Sequence, residues 1–337
     1  MILSDMKDCK WNGNDIKKLI WNNNILWEKD GYNGNLLPNV WTNMGETIHF
    51  RYCRYDKGAY AIYNNEIHVC DSAYVSGSWV YTHYKFNGTE WEILDQLNDT
   101  DFEVWRMIQY QNKLHLFNEY YHYTWTDDEG YIQLDNTQTE DKFYFSQTSV
   151  PNSLFVHNDE LYAKNFLCTR GVRDYETIST IGKMIDGKFY KVIDTPYYTP
   201  TMPVYSEYSK KVYIMGGATQ QIINNGVTET MYYSIPKANY SWDPETNMWT
   251  RLTDLPLNSA TLSTVSVKNK IHIIGMRENP ICHYVYNIDT NTYTKLQDLP
   301  YSASGSIILY CNHELHLFGG DTINIAYNHY AIYLEDN

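Results

Sequence analysis

A strand motif repeated six times, and a strand count that balances only when the two chain ends share one sheet, predict an all-β fold, a six-bladed β-propeller. The motif is a short apolar strand with His or Tyr at its second position, entered from an Asn- or Lys-bearing turn. Its copies are Ile67-His68-Val69, Leu114-His115-Leu116, Leu161-Tyr162-Ala163, Val212-Tyr213-Ile214, Ile271-His272-Ile273 and Leu315-His316-Leu317. From Ile67 to Leu114, Leu161, Val212, Ile271 and Leu315 the steps are 47, 47, 51, 59 and 44 residues. A unit of that length holds several short strands and cannot bury its faces alone, so neighbouring units must stack.

Each unit reads as four strands, a to d. In the fifth, strand a runs from Thr261 to Val267 and a turn at Asn269-Lys270 leads into strand b, Ile271 to Gly275. Strand c spans His283 to Ile288, and Asp289-Thr290-Asn291 supplies a turn of residues that tolerate left-handed or Asx geometry. Strand d is Tyr293 to Leu296, stopped by Leu299-Pro300, because proline ends sheet pairing. The fourth unit repeats the plan. Strand b ends in Gly216-Gly217, the turn is Asp243 to Asn247, strand d opens at Trp249 and Leu255-Pro256 closes it.

Units four to six resemble the kelch repeat family. The diglycines Gly216-Gly217 and Gly319-Gly320 after strand b carry the likeness, with the segments Trp249 to Pro256 and Tyr293 to Pro300. In units one to three Cys70, Asn118 and Lys164 follow strand b instead, while Trp91, Tyr131 and Tyr190 keep the strand-d aromatic. In the second unit, Asp135 to Gln147 reads as a displaced strand d or an inserted loop.

The sixth unit has strand b, Leu315 to Phe318, and strand c, Tyr330 to Leu334, but the sequence stops at Asn337 with no strand d. Asn39-Val40-Trp41-Thr42 reads like a strand d with no unit of its own. The N-terminal strand therefore completes the last blade, which closes the ring and removes its open edges. Residues 36–337 form the expected propeller, and residues 1–35 a separate small hairpin module.

The chain carries a net charge of −14 with Lys and Arg scattered, so it repels phosphate backbones and anionic lipid. No nucleic-acid partner and no membrane insertion are expected. Asp5, Asp8 and Asp15 break the first thirty residues, so they do not read as a secretory signal. Cys9, Cys53, Cys70, Cys168, Cys282 and Cys311 are widely spaced with no CxxC pair, which suits free thiols better than disulfides or zinc. The 33 tyrosines suit either packing on half-buried strands or a sugar-stacking surface, and for any single one packing is favoured.

No catalytic constellation emerges. His68, His115, His272 and His316 occupy one place in four different units, so pseudo-symmetry spreads them around the ring and packing is expected, with no metal and no cofactor. A Tyr–Cys pair with two His ligands, as in kelch-type copper radical oxidases, has no counterpart segment. The turns Phe86 to Trp91 and Thr126 to Tyr131 lack the pattern of the sialidase repeat. P-loop, GxSxG and HExxH motifs are absent from the sequence, and a facing carboxylate pair cannot be read from it.

Outside the repeat, Lys10 to Ile16 and Leu19 to Glu28 read as short strands joined by Asn/Gly turns. This Trp-rich unit resembles the opening module of bacteriophage and prophage tail, baseplate and fibre proteins. The resemblance implies a virion structural protein, in a tail, collar or fibre, made in the host cytoplasm and then residing in the particle. Trp11, Trp21 and Trp27 would dock it onto other virion proteins; the alternative is a hairpin packed on the propeller's flank. The b–c and d–a connections vary in length, and binding is usually built on variable loops. The expected partner-binding residues are Tyr120, Tyr121, Arg170, Arg173, Tyr175, Tyr197, Tyr198, Gln220, Gln221, Asn224 and Asn225, facing a host-surface glycan or protein. A homo-oligomer is compatible with this reading. Two alternatives stand beside it: a bacterial kelch-type sugar-acting enzyme, such as a sialic acid mutarotase, and an intracellular kelch adaptor.

Overall fold

The computed structural model describes residues 10–11, 14–15, 18–21, 24–28, 36, 40–46, 59–75, 78–88, 90–97, 106–117, 121–134, 154–167, 178–196, 203–216, 219–224, 229–234, 237–257, 262–275, 282–299, 306–318 and 328–334. Among them every regular element is a β-strand. Six four-stranded antiparallel sheets form the blades of a propeller. In blade 1 strands a to d are Ala59–Tyr63, Glu66–Val75, Ser78–Phe86 and Trp91–Leu97. Blade 2 has Arg106–Tyr110, Lys113–Phe117, His122–Thr126 and Gly130–Gln133. Blade 3 has Leu154–His157, Glu160–Leu167, Ile178–Ile185 and Lys188–Asp194. Blade 4 has Val204–Ser206, Lys211–Met215, Asn239–Asp243 and Met248–Arg251. Blade 5 has Leu262–Val267, Lys270–Gly275, His283–Asn287 and Thr292–Lys295. Strand a of each blade touches strand a of the next, from blade 1 round to blade 6 and back to blade 1.

Blade 6 takes Ile307–Cys311, Glu314–Phe318 and Asn328–Tyr333 from the end of the chain and Thr42–Glu46 from its beginning. Ala331 lies opposite Thr42 and Tyr330 opposite Asn43, so the ring closes where the strand count required it. The closing strand starts at Thr42 rather than Asn39, with Trp41 buried just ahead of it at 9% exposure. Blade 2 finds its strand d at once, in Gly130–Gln133; residues 135–147 lie outside the described residues.

Turn chemistry sets the a–b hairpins. Asn64 and Asn65 (φ 50° and 62°), Asn158 and Asp159 (49° and 58°) and Gln111 and Asn112 (48° and 59°) are left-handed pairs. Two such residues twist a hairpin in the same sense as its strands, and Asn and Asp bear this geometry at least cost. In blade 5 the turn is Lys268-Asn269, one residue earlier than the sequence suggested, because Lys268 takes the positive φ of 53° and Lys270 already pairs with Val267. The c–d turns of blades 4 and 5 share one construction. Asp243 accepts the N–H groups of Glu245 and Thr246, and Asn287 accepts those of Asp289 and Thr290. Left-handed Asn247 and Asn291 then each receive a hydrogen bond from the strand-c aromatic, Trp242 Nε1 at 3.1 Å and Tyr286 OH at 2.9 Å.

The core is not inside any blade. Six apolar clusters each combine residues of two neighbouring blades, such as Tyr60, Ile67, Val69 and Phe86 of blade 1 with Ile307, Leu309 and Phe318 of blade 6. The recurring strand-b histidines sit beside these seams, and each meets a second histidine on strand c of its own blade. The Nδ1 to Nε2 distances are 2.9 Å for His68–His83, 2.8 Å for His115–His122, and 3.0 Å for both His272–His283 and His316–His329. All eight imidazoles are buried. Three of the strand-c rings also lie against aromatics of the next blade: His83 on Trp125 and Tyr131, His283 on Trp41, and His329 on Phe86 and Trp91. Blade 4 has Asn239 at that position, and its amide donates to Tyr293 of blade 5 at 2.6 Å.

Trp41 therefore holds the closing strand through the blade 5–6 seam. Trp41→Ala should lower unfolding stability by about 3–5 kcal/mol, the usual cost of deleting a buried Trp side chain. Urea unfolding measures it, and an unchanged midpoint would show that the strand is not held there.

Candidate functional site

Two ends of the ring are built differently. The a–b and c–d turns at one end are short and tied to one another. Tyr110 OH donates to the Asp159 carbonyl at 3.0 Å, Tyr208 OH to the Asp289 carboxylate at 2.8 Å, and Cys311 Sγ to the Asn65 carbonyl at 3.1 Å. At the other end, among the described residues, three b–c connections extend beyond their blades. In blade 1, strand a pairs no farther than Cys70, yet strands b and c stay paired to Val75 and Ser78. At about 3.3 Å per residue that is a ribbon of roughly 15 Å. Blade 3 continues to Leu167 opposite Ile178, past the last strand-a partner at Ala163.

Blade 4 carries a separate hairpin between its strands b and c, Thr219–Asn224 paired with Glu229–Ser234. This corrects the expectation that Gln220, Gln221 and Asn224 lie on a variable loop. Gln220 pairs with Tyr233, Gln221 with Tyr232 and Asn224 with Glu229. Blades 1 and 4 lie opposite each other in a six-bladed ring, so their two ribbons stand on either side of its axis.

The six strands a enclose a central cavity of about 360 Å³. Its wall is mainly apolar, from Tyr60, Met107, Phe155, Tyr205, Val265 and Ile308, with Gln109, Glu207, Thr264 and Ser266 as polar groups. Near the ribbon end, where strand a of blade 2 begins and strand b of blade 3 leaves its blade, two cations are buried. Arg106 is 0% exposed and Lys164 1% exposed. Burial pushes the Lys164 amine down to about 7, and the nearby Arg106 charge adds to the effect. Burial alone pushes the Arg106 guanidinium down to about 9. Chemically the pair can hold an anionic group, and Lys164 is an amine held near the balance of its two protonation states at neutral pH.

Of the residues expected to bind a partner, Tyr121 is half-buried and packs edge-on to Tyr123. Gln220, Gln221 and Asn224 fall on the blade 4 hairpin. Tyr120, Arg170, Arg173, Tyr175, Tyr197, Tyr198 and Asn225 lie outside the described residues. For the docking candidates, Trp11 lies in Lys10–Trp11, paired with Asn14–Asp15, and Trp21 and Trp27 lie in Lys18–Trp21 and Asn24–Glu28, which pair with each other. Among the described residues no group of three His, Cys, Asp or Glu side chains is placed to hold a metal ion. Cys70, Cys282 and Cys311 are buried and form no disulfide.

Sequence reasoning missed Arg106, Lys164 and the strand-c histidines. The last had a readable signal. Strand c contains His83-Tyr84-Lys85-Phe86, His122-Tyr123-Thr124-Trp125, His283-Tyr284-Val285-Tyr286 and His329-Tyr330-Ala331-Ile332, a His-Tyr pair four times over.

No protein-family model and no curated protein matches the sequence. Among solved structures the chain is similar to a gluconolactonase of Xanthomonas campestris, described as important in glucose secondary metabolic pathways. The likeness has a TM-score of 0.51 at 11% identity, over 89% of this chain and 97% of that one. At that identity it reports a common propeller architecture, which hosts many unrelated functions.

Lys164 gives this region a measurable signature. Its folded value of about 7 lies below the ordinary 10.5, so between those values the unfolded chain holds a proton that the folded chain lacks. Stability therefore rises with pH across that window by about 1.4 kcal/mol per unit from this group. Lys164→Met should remove about one proton from the slope of unfolding free energy against pH between 7.5 and 9.5. An identical slope in the variant would show that Lys164 is not held neutral.

Proposed function

We propose that this chain is a structural component of a bacteriophage particle, in a tail, collar or fibre, whose propeller holds a protein or glycan partner. The observation that carries the reading is the separation of the two ends. The closing strand runs antiparallel to strand c with Thr42 opposite Ala331 and Glu46 opposite Asn328, so the chain enters the ring from the short-turn side. The extended ribbons of blades 1, 3 and 4 lie at the other end. An anchor on one side and recognition on the other is the geometry an attachment protein needs. The paired strands over Lys10–Glu28 support a docking module of residues 1–35 that contacts other virion proteins, and the kelch-like spacing of units four to six supports the head as a binding propeller. The ribbons of blades 1 and 4 are nearly free of charge, with Asp71 alone in residues 71–81 and Glu229 alone in residues 219–234, which suits an uncharged partner surface there, while the blade 3 connection carries Arg170, Arg173, Asp174 and Glu176.

A sugar-acting enzyme is the second reading. The buried Arg106 and Lys164 favour it, because two neighbouring cations suit a carboxylated sugar.

Purified virions decide between the two. The expected result is this chain in intact particles at fixed stoichiometry, with Trp11→Ala and Trp21→Ala abolishing incorporation. Arg170→Ala with Arg173→Ala and Tyr198→Ala should leave incorporation intact and weaken partner binding tenfold or more. Absence from particles, with sugar-converting activity in the soluble fraction, would reverse the ranking.

A further inference from the structure

The four blades that join strands b and c through paired imidazoles are neighbours. Blades 5, 6, 1 and 2 form one unbroken arc, and that arc contains the blade closed by the N-terminal strand. Blades 3 and 4 have Tyr162 and Tyr213 on strand b, and Ile181 and Asn239 where the arc has its strand-c histidines. We propose that the imidazole pairs are an acid-sensitive latch: mild acid opens the 5-6-1-2 arc first and frees the closing strand Thr42–Glu46, while blades 3 and 4 stay folded.

The geometry gives the direction. Two ring nitrogens 2.8–3.0 Å apart form a hydrogen bond when one bears a proton and the other a lone pair. Two fully protonated imidazoles present N–H against N–H and repel. The outward nitrogens offer little relief, since His68 Nε2, His83 Nδ1 and His283 Nδ1 have no hydrogen-bond partner among the described residues.

The groups around each pair act in the same sense with two exceptions. Lys85 beside His68, Lys113 beside His115 and Lys270 beside His272 all oppose a further positive charge. Around His83 stand Trp125 and Tyr131, whose hydroxyl contacts the neutral Cys70 thiol. His122 is stacked on Phe117, His283 lies against Trp41, and His329 lies among Phe86, Trp91 and Phe318. The exceptions are a backbone hydrogen bond between His115 and Tyr110, and at His316 a backbone bond to Cys311 with the Glu314 carboxylate 3.4 Å away.

Burial holds the imidazoles neutral, with His68, His115, His283 and His316 pushed from 6.5 to about 4. His122 falls to about 3, and His83, His272 and His329 are also lowered, by burial first and by the partner ring second. Because the folded values lie below the free value, this stabilisation is complete above about 6.5. It drains as pH falls toward about 4, where the folded pairs take up protons as well. At pH 5 each imidazole released raises the open population by about thirtyfold, and a released pair by about a thousandfold. Other shifted groups act outside this window: Lys164 titrates from about 7 upward, and Asp243 and Glu160 are held below the usual carboxylate range by hydrogen bonds and nearby lysines.

Hydrogen exchange on the full chain at pH 7.5 and pH 5.0, corrected for intrinsic rates, tests the latch. Thr42–Glu46, Asn328–Tyr333, His283–Asn287 and Ser78–Phe86 should open a hundredfold or more at pH 5.0, with Ile178–Ile185 and Asn239–Asp243 changing less than tenfold. Equal opening in all blades, or none in the arc, overturns the proposal. The double variant His316→Tyr with His329→Ile transplants the blade 3 arrangement and should cut the acid response of Thr42–Glu46 at least a hundredfold, leaving what the other three pairs contribute. An undiminished response in that variant also overturns it. If the double variant gives no folded ring at pH 7.5, His329→Asn, the blade 4 residue, replaces it; it removes one imidazole of the pair and should cut the response about tenfold or more, an undiminished response again overturning the proposal.

Discussion

The seam between blades is the constraint on which the rest of this molecule depends. A four-stranded blade of this size has two faces and no interior, so its apolar residues are buried only by the blade on either side. Each of the six apolar clusters accordingly draws on two blades, and Trp41 belongs to the last of them. Closure follows from this. A ring whose sixth blade had only three of its four strands would leave one seam wet, so the strand that completes blade 6 seals a core as well as a sheet edge. Hydrogen bonds between blades, such as Asn239 to Tyr293 at 2.6 Å and Trp249 Nε1 to the Asp194 carbonyl at 3.0 Å, then fix the rotation of one blade on the next.

Those seams explain why so much of the fold was legible. Strand b is apolar on both faces because both are covered, and its turn is Asn-rich because the hairpin needs left-handed residues; both signals are local and recur with the blade. Thr42 opposite Ala331 could be anticipated because a missing strand and an orphan strand are countable. The b–c connection was less legible because its length varies. The two histidines of a pair are 15, 7, 11 and 13 residues apart, so no fixed spacing links them, although the His-Tyr pair within strand c repeats. In blade 4, the runs Gln220 to Ile223 and Thr230 to Tyr233 flank Asn225-Gly226, a local hairpin signal in the sequence.

The candidate site was less legible still, for a physical reason. Arg106 begins a strand and Lys164 lies within one, 58 positions apart in sequence, and nothing near either announces that the fold will bury both. A cation in a β-rich sequence reads as an exposed residue unless its burial is known. The site's polarity is thus a property of the ring, created when blade 3 is set beside blade 2, and no motif encodes it.

The same logic links closure to any role that places a load on the N-terminal residues. Whatever residues 1–40 contact, force on them enters the propeller through Trp41 and the strand Thr42–Glu46. The strand lies antiparallel to Asn328–Tyr333 and is entered from the short-turn end, so a pull directed away from that end runs along the strand axis. Ladder hydrogen bonds then share the load, whereas a pull across the sheet would break them one at a time. Trp41 sits at the point of entry against His283, which makes the indole the first group to leave its seam and the imidazole the first to be wetted. Mechanical load and protonation therefore act on the same contact. Each weakens the ring against the other, because the chain that closes the propeller is also the chain that leaves it.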